Sequence, residues 1–353
     1  MGLVPRQTRL QARQLQQAQT TIELGTDTPP QETGKNTPAS SPPITPLPAR
    51  LVQSHTKLSK KDHALLLLKQ ARLQASSLSK PSSSGGATPA VSATLIFAQA
   101  EAGTAVCIHP SGLLLTCAHC IAETEAELDL SKSHHLLFAS GTVVTARCTA
   151  WDPTRDLALL QITAAQHPPA GSQDPESGLS PPPHWQFPAL AVADRPPKLG
   201  ARLVCVGQPG SEDLECEEAG VETGYEVLCV SEGRFRGYAD GQDVQDNAEI
   251  GALMHSCWTY WGHSGAPLVE ETARAGERLV GLHSSWDDET GRRWGGGVEA
   301  IRECLGGRVG FEWVGVPRNV LEQMSKTHSL GTTGQNEFVK NRWSTWEELC
   351  GKQ

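Results

Sequence analysis

From residue 91 onward the apolar residues come in short runs, not at helical spacing. "ATLIFAQA", "TAVCIHP", "GLLLTCA", "GTVVTARCTAW", "LALLQI", "ARLVCVG", "YEVLCVSEG", "RLVGLHSS" and "FEWVGVP" are broken from one another by Gly, Pro, Asn or Asp. Short runs rich in leucine and β-branched residues between turn residues predict strands. Their density predicts an antiparallel sandwich or barrel. The proline-rich stretch "AAQHPPAGSQDPESGLSPPPHWQFP" splits the β region near its middle and reads as the loop between two barrels. One segment, "PRNVLEQMSK" at 317–326, reads as a helix opened by a proline.

Residues 1–90 have a different texture, dominated by Gln, Ser, Thr and Pro. Such a segment buries too little apolar surface to offset chain ordering, so disorder is expected over 1–90. The exception is "KLSKKDHALLLLKQARLQ" at 57–74, a basic amphipathic helix that could dock on the domain or on an acidic partner. No internal repeat is visible.

Composition narrows the classes. The chain has 353 residues, 38% hydrophobic and 20% charged, which fits a soluble protein with one large core or two smaller ones. The longest apolar burst, "ALLLL" at 64–68, is far too short to span a membrane. Residues 1–22 hold no apolar core of a secretory leader, so an intracellular protein is expected, cytoplasmic or nuclear. Arg6, Arg9 and Arg13 precede the first acid, Glu23, which keeps a mitochondrial presequence as an alternative. Residues 1–90 carry 11 basic and 4 acidic residues, net +7, against 19 and 35, net −16, in the rest. So acidic a globular part would repel a phosphate backbone, which argues against nucleic acid as a partner. All ten cysteines follow residue 100, too sparse for a disulfide scaffold, and read as buried thiols.

The candidate chemistry starts at "LTCAHCIAE", residues 115–123, where His119 sits between Cys117 and Cys120. Cys-x-x-Cys can be a redox pair or half a zinc site, but the chain has no second such pair or His-x₃₋₅-His. A redox pair also needs an α/β setting that these flanks lack. A histidine doing acid–base work is the third reading, and it has partners. "WDPTRDLALLQI" places Asp156 at the head of an apolar run, where a carboxylate is drawn half inside. "YWGHSGAPLVE" places Ser264 in a glycine-flanked turn, which can aim two N–H groups at one point beside a nucleophile. His, Asp and Ser in this order across two β halves are far more specific than any one of them.

These stretches resemble the HtrA/Deg branch of the trypsin-like serine proteases. "GTAVCIHPSGLLLTCAHCIA" (103–122) is similar to its G-S-G-F-I-I-x-P-x-G-x-I-L-T-x-x-H-V-V, "DPTRDLALLQI" to D-x-x-x-D-L-A-V-L-K-I, and "GHSGAPLV" to G-N-S-G-G-P-L-V. "ALAVADRPPKLGARLVCVGQPG" and "WVGVPRNVLEQM" look like further segments of the same pattern, so the resemblance spans roughly 93–327. It implies an all-β fold of two six-stranded antiparallel β-barrels with a short C-terminal helix, preceded by the disordered region. The protease domain would cover 91–327, with barrels at roughly 91–195 and 196–327 and a tail at 328–353. It implies a serine endopeptidase with His119 as general base, Asp156 orienting it and Ser264 as nucleophile. The backbone N–H groups of Gly262 and Ser264 would form the oxyanion hole. Partners would be protein or peptide substrates, with no cofactor and no metal; the oligomeric state is left open.

Some positions depart from that pattern. His263 stands where secreted relatives carry an aspartate that pairs with a newly cut N-terminus. Ala266 replaces a glycine, which bears on the turn. Cys120 aligns with a disulfide cysteine whose partner position is Gly103, consistent with a reducing compartment. About 26 residues follow the last helix, leaving no room for the branch's PDZ module. The substrate's P1 side chain (the residue on the acyl side of the cut bond) would enter between "HSCWTYW" and "LHSSWDDE". Trp258, His283, Ser284 and Trp286 are the candidates there. Two inward tryptophans would favour small aliphatic P1 residues, whereas Asp287 and Asp288 would attract a basic one. Two rivals remain: a catalytically inactive trypsin-like fold acting as a protein-binding module, and an α/β-hydrolase completed by Asp287 and His328.

Overall fold

The computed structural model describes residues 44–76, 78, 88–98, 103–166, 185–210, 224–272, 276–287 and 290–306. The expected helix at 317–326 and the tail at 328–353 lie outside them.

The described chain enters along β1 (Thr45–Leu47) and the short α1 (Gln53–Thr56), then forms α2 (Lys60–Ala75). Ser59 starts α2 by accepting the Asp62 N–H at 3.1 Å on its hydroxyl, a side-chain cap for an otherwise orphaned donor. Leu66, Lys69 and Leu73 lie on one stripe and are buried against the first barrel. Lys69 is completely covered and donates through Nζ to the Phe97 carbonyl at 3.2 Å. Gln70 Nε2 reaches the Gly141 carbonyl (2.8 Å) and Gln166 Oε1 (2.9 Å), while Gln166 Nε2 binds the Pro48 and Ala49 carbonyls. β1 pairs in parallel with Ala164–Gln166. Residues 44–75 are therefore docked on the first barrel, although they lie ahead of the boundary expected at 91. The buried Leu66 and Leu73 each contribute about 1.5–3 kcal/mol towards the cost of ordering the segment.

After α3 (Pro89–Ala93) the first barrel is built from β2 (Thr94–Phe97), β3 (Thr104–His109), β4 (Leu113–Thr116), β5 (Ser133–Phe138), β6 (Val143–Asp152) and β7 (Leu157–Gln166). Their order is β7-β4-β3-β2-β5-β6, closed by β6 pairing with β7. The second comprises β8 (Arg202–Gly207), β9 (Cys229–Tyr238), β10 (Leu253–His255), β11 (Pro267–Thr272), β12 (Gly276–Trp286) and β13 (Arg293–Gly297). It closes in the order β10-β13-β12-β11-β8-β9, and all pairings within both barrels are antiparallel. The helix α4 (Val298–Gly306) follows directly.

The unbroken apolar run in β4 has a structural reason. Leu114 points into the first barrel with Leu95, Leu136 and Leu160. Leu113 and Leu115 face the other way, into a core shared with Leu66 and Leu73 of α2 and with Val206 and Leu282 of the second barrel. A strand covered on both faces loses the alternation that a half-exposed strand shows.

Candidate active site

Asp156 occupies the turn between β6 and β7 with φ 51°, a left-handed conformation that short polar side chains tolerate better than others. The turn is held on both sides. Asp152 accepts from the Arg155 N–H (3.0 Å) and pairs with its guanidinium (2.7 Å), Arg155 Nε reaches Gln245, and Asn247 N–H donates to the Thr154 carbonyl at 2.8 Å. His119 sits in a 3₁₀ turn after β4, and the Trp151 indole N–H fixes that turn through the Ala118 carbonyl at 3.1 Å.

His119 Nδ1 lies 2.8 Å from Asp156 Oδ1 and 2.9 Å from Oδ2, and the His119 backbone N–H donates to Oδ1 at 3.2 Å. Both side chains are buried. Ser284 Oγ donates to Asp156 Oδ2 at 2.8 Å, and the Ser284 carbonyl accepts the Ser264 hydroxyl at 3.1 Å. Ser284 thus touches two of the three expected residues, and the third is bound to one of them.

The Ser264 loop is clamped by the first barrel. Thr104 N–H donates to the Ser264 carbonyl (2.9 Å) and Thr104 Oγ1 to the Gly262 carbonyl (2.9 Å), while Thr116 Oγ1 donates to the Thr104 carbonyl (2.7 Å). Gly265 must be glycine: its φ is +84°, and a Cβ there would lie 2.0 Å from the Thr104 carbonyl oxygen. Gly262 also has positive φ, 94°. The neighbouring N–H groups of His263, Gly265 and Ala266 bond to the carbonyls of Tyr260, His283 and His263, whereas those of Gly262 and Ser264 make no hydrogen bond among the described residues. Two adjacent uncommitted donors are what an oxyanion site needs.

The departures from the sequence pattern are accommodated. The Ala266 methyl and the buried His263 ring both occupy the space above Gly207, where a Cβ would meet them at 2.9 and 2.6 Å. The Ala266 N–H still closes the loop onto the His263 carbonyl at 2.8 Å. His263 Nδ1 contacts the Tyr260 backbone N–H (3.2 Å) and carbonyl (3.1 Å). A Cβ at Gly103 would lie 3.4 Å from Cys120 Sγ, as the alignment of those two positions requires. The eight described cysteines are all thiols, and burial pushes Cys107 and Cys257 up to about 12. Cys117, His119 and Asp156 offer ligand atoms within 4.8 Å of one another and could hold a metal ion, although Cys117 Sγ donates to the His283 carbonyl at 3.4 Å.

Residues 103–282 match the trypsin-like peptidase domain. The chain belongs to that family. No curated protein matches. Among solved structures it is similar to a mutant, inactive form of Rv3671c from M. tuberculosis H37Rv (17% identity, TM-score 0.40), over 69% of this chain and 91% of the other. It is also similar to the serine endoprotease from Yersinia pestis (19%, 0.40, 61% and 62%) and to the HtrA-type protease AlgW with decapeptide (18%, 0.38, 64% and 52%).

In this trypsin-like domain Trp258 lies on the segment leading to Ser264, and His283, Ser284 and Trp286 lie on β12. Trp258 stacks parallel to Tyr260 with ring centres 6.3 Å apart and meets His263 edge-on at 5.6 Å. Trp286 lies 5.9 Å from Tyr260 and 5.3 Å from Trp261, which is exposed. His283 is buried beside Ser284, with Nδ1 3.0 Å from His255 Nε2. Asp287 is turned into its own loop, its carboxylate accepting from the Thr290 hydroxyl and N–H. Asp288 lies outside the described residues. Three residues near them escaped the sequence reading: His255, which bonds to His283, Arg293, which pairs with Trp286 across the ladder, and Thr259, which accepts from Arg293. His255 and Arg293 are polar side chains at strand ends, and Thr259 lies in the loop after β10. No described helix is long and apolar enough to cross a membrane.

Proposed function

We propose that this trypsin-like domain is a serine endopeptidase that cuts peptide bonds through His119, Asp156 and Ser264. The observation that carries the reading is the His119–Asp156 contact, with one carboxylate receiving imidazole Nδ1, a backbone N–H and the Ser284 hydroxyl. That arrangement keeps the proton on Nδ1 and leaves Nε2 as the basic nitrogen. Ser264 attacks the scissile carbonyl, its hydroxyl proton passing to Nε2 of His119, and the carbonyl oxygen becomes an oxyanion between the N–H groups of Gly262 and Ser264. The imidazolium then protonates the leaving amine, giving an acyl-enzyme on Ser264, and water repeats the sequence to release the acid. In the resting arrangement the Ser264 hydroxyl is given to the Ser284 carbonyl, so it turns about its Cα–Cβ bond before attack.

The same hydrogen bond favours a second reading, an inactive fold whose serine is parked and whose surface binds protein. Hydrolysis of a denatured protein by wild type and Ser264→Ala chain, read as new termini by mass spectrometry, separates the two. The first reading requires termini that disappear in the variant; the second requires none in either. The eight thiols support a reducing compartment.

A further inference from the structure

Across the β12–β13 ladder from Trp286 stands a cation that no described carboxylate pairs. Arg293 is the first residue of β13, half-buried, and pairs across the ladder with Trp286 on one side and His255 on the other. Its Nε donates to Thr259 Oγ1 at 3.1 Å and one terminal nitrogen donates to the Gly291 carbonyl at 3.0 Å. A guanidinium has five N–H donors in a fixed fork, so three are left over. Among the described residues no carboxylate pairs with it. In a part of the chain with net charge −16, an arginine drawn partly out of water and left beside neutral groups is out of keeping with its surroundings. The unspent donors of this half-buried fork are open to an incoming anion.

The histidines nearby add a directed donor. His283 Nδ1 and His255 Nε2 share one hydrogen bond, and both rings are buried and neutral, their pKa values lowered chiefly by burial. His255 Nδ1 is buried without a partner among the described residues. A bare lone pair is easier to bury unpaired than an N–H. A proton on His255 Nε2, given to His283 Nδ1, leaves only a lone pair on the enclosed His255 Nδ1 and puts the second proton on His283 Nε2, which is not among the enclosed unpartnered atoms. That Nε2–H has no acceptor among the described residues. Gly265 N–H bonds to the His283 carbonyl at 2.8 Å, which ties this histidine directly to the nucleophile loop.

We propose that the pocket selects an acidic P1 residue, glutamate or aspartate, with Arg293 pairing its carboxylate and His283 donating to it. The inference rests on the endopeptidase reading and names the substrate class of that same site. The neighbouring tryptophans then flank the stem of an acidic side chain and do not cap a shallow aliphatic pocket. Thr259, fully covered, keeps the fork oriented by holding Nε.

The test uses the full chain and peptides identical except at P1, carrying Glu, Asp, Gln, Ala, Leu or Lys, with a fluorophosphonate probe run in parallel. The probe has no P1 side chain and reports the reactive serine alone. Pairing with a charged group predicts kcat/KM for Glu or Asp about 10–100-fold above Gln, mostly through KM. Arg293→Met brings that ratio close to one, and Arg293→Lys keeps part of it, because a point charge replaces the fork. Labelled wild type that cuts best after Ala, Leu or Lys overturns the inference and leaves the peptidase reading standing. So does a Glu-to-Gln ratio that Arg293→Met does not change. Folded wild type that neither labels nor cuts overturns both.

Discussion

Ser284 Oγ lies 2.8 Å from Asp156 Oδ2, and its carbonyl oxygen lies 3.1 Å from Ser264 Oγ, so one residue of β12 bridges the carboxylate of the first barrel and the hydroxyl of the second. The two barrels must be in register for this to occur, which couples the site to domain packing. Ser284→Ala removes one of the hydrogen bonds that orient the carboxylate. A hydrogen bond to a charged group implies that kcat falls about 10–100-fold while KM changes little. Steady-state kinetics on one good peptide checks this; an unchanged kcat contradicts the role.

Asp156→Asn keeps the shape and loses the charge. The amide can present N–H to His119 Nδ1 and so favours the wrong tautomer. A fall in kcat of about 10⁴-fold is expected near neutral pH. Measuring kcat for both chains over a pH series checks it, and a loss under tenfold would show that Asp156 does not set the tautomer.

The strand pattern was legible because each run has a turn residue at its ends, and the candidate triad because three short motifs each fix a residue type beside glycines or an apolar run. The docked segment at 44–76 was harder. Its buried stripe includes Lys69, and a lysine among leucines reads as a solvated face until Phe97 O supplies its partner. Arg293 and His255 were invisible for another reason. They meet through the β10–β13 register, a pairing between residues nearly forty apart, and no local pattern encodes which residue lies opposite which.

α2 should behave as part of the first barrel. Leu66→Ala opens a hole under a fully covered side chain and is expected to lower unfolding stability by about 2–5 kcal/mol. Urea unfolding followed by tryptophan fluorescence reads it, with Trp151 in the first barrel as one reporter. A midpoint shared with wild type would mean that α2 detaches before the barrel melts.

Acid should weaken the second barrel through its histidines. Burial pulls His255 down to about 3 and His263 to about 4, from a usual value of 6.5. In the unfolded chain both take up protons as pH drops below about 6.5, while the folded chain does not. Their contribution is complete above that value, falls as pH drops towards 4, and levels off below the folded values, at up to about 1.4 kcal/mol per pH unit for each. Denaturant midpoints at pH 7, 5.5 and 4.5 for wild type and His255→Gln check the sign. The difference between the two chains should shrink on acidification, and a constant difference would contradict it.

The most direct measurement is intact-mass analysis after exposure to a fluorophosphonate, on wild type and on Ser264→Ala. The proposed chemistry predicts one adduct on wild type, mapped to Ser264, and none on the variant. Correctly folded wild type that stays unlabelled, or a label that persists in Ser264→Ala, would contradict the assignment of Ser264 as an activated nucleophile.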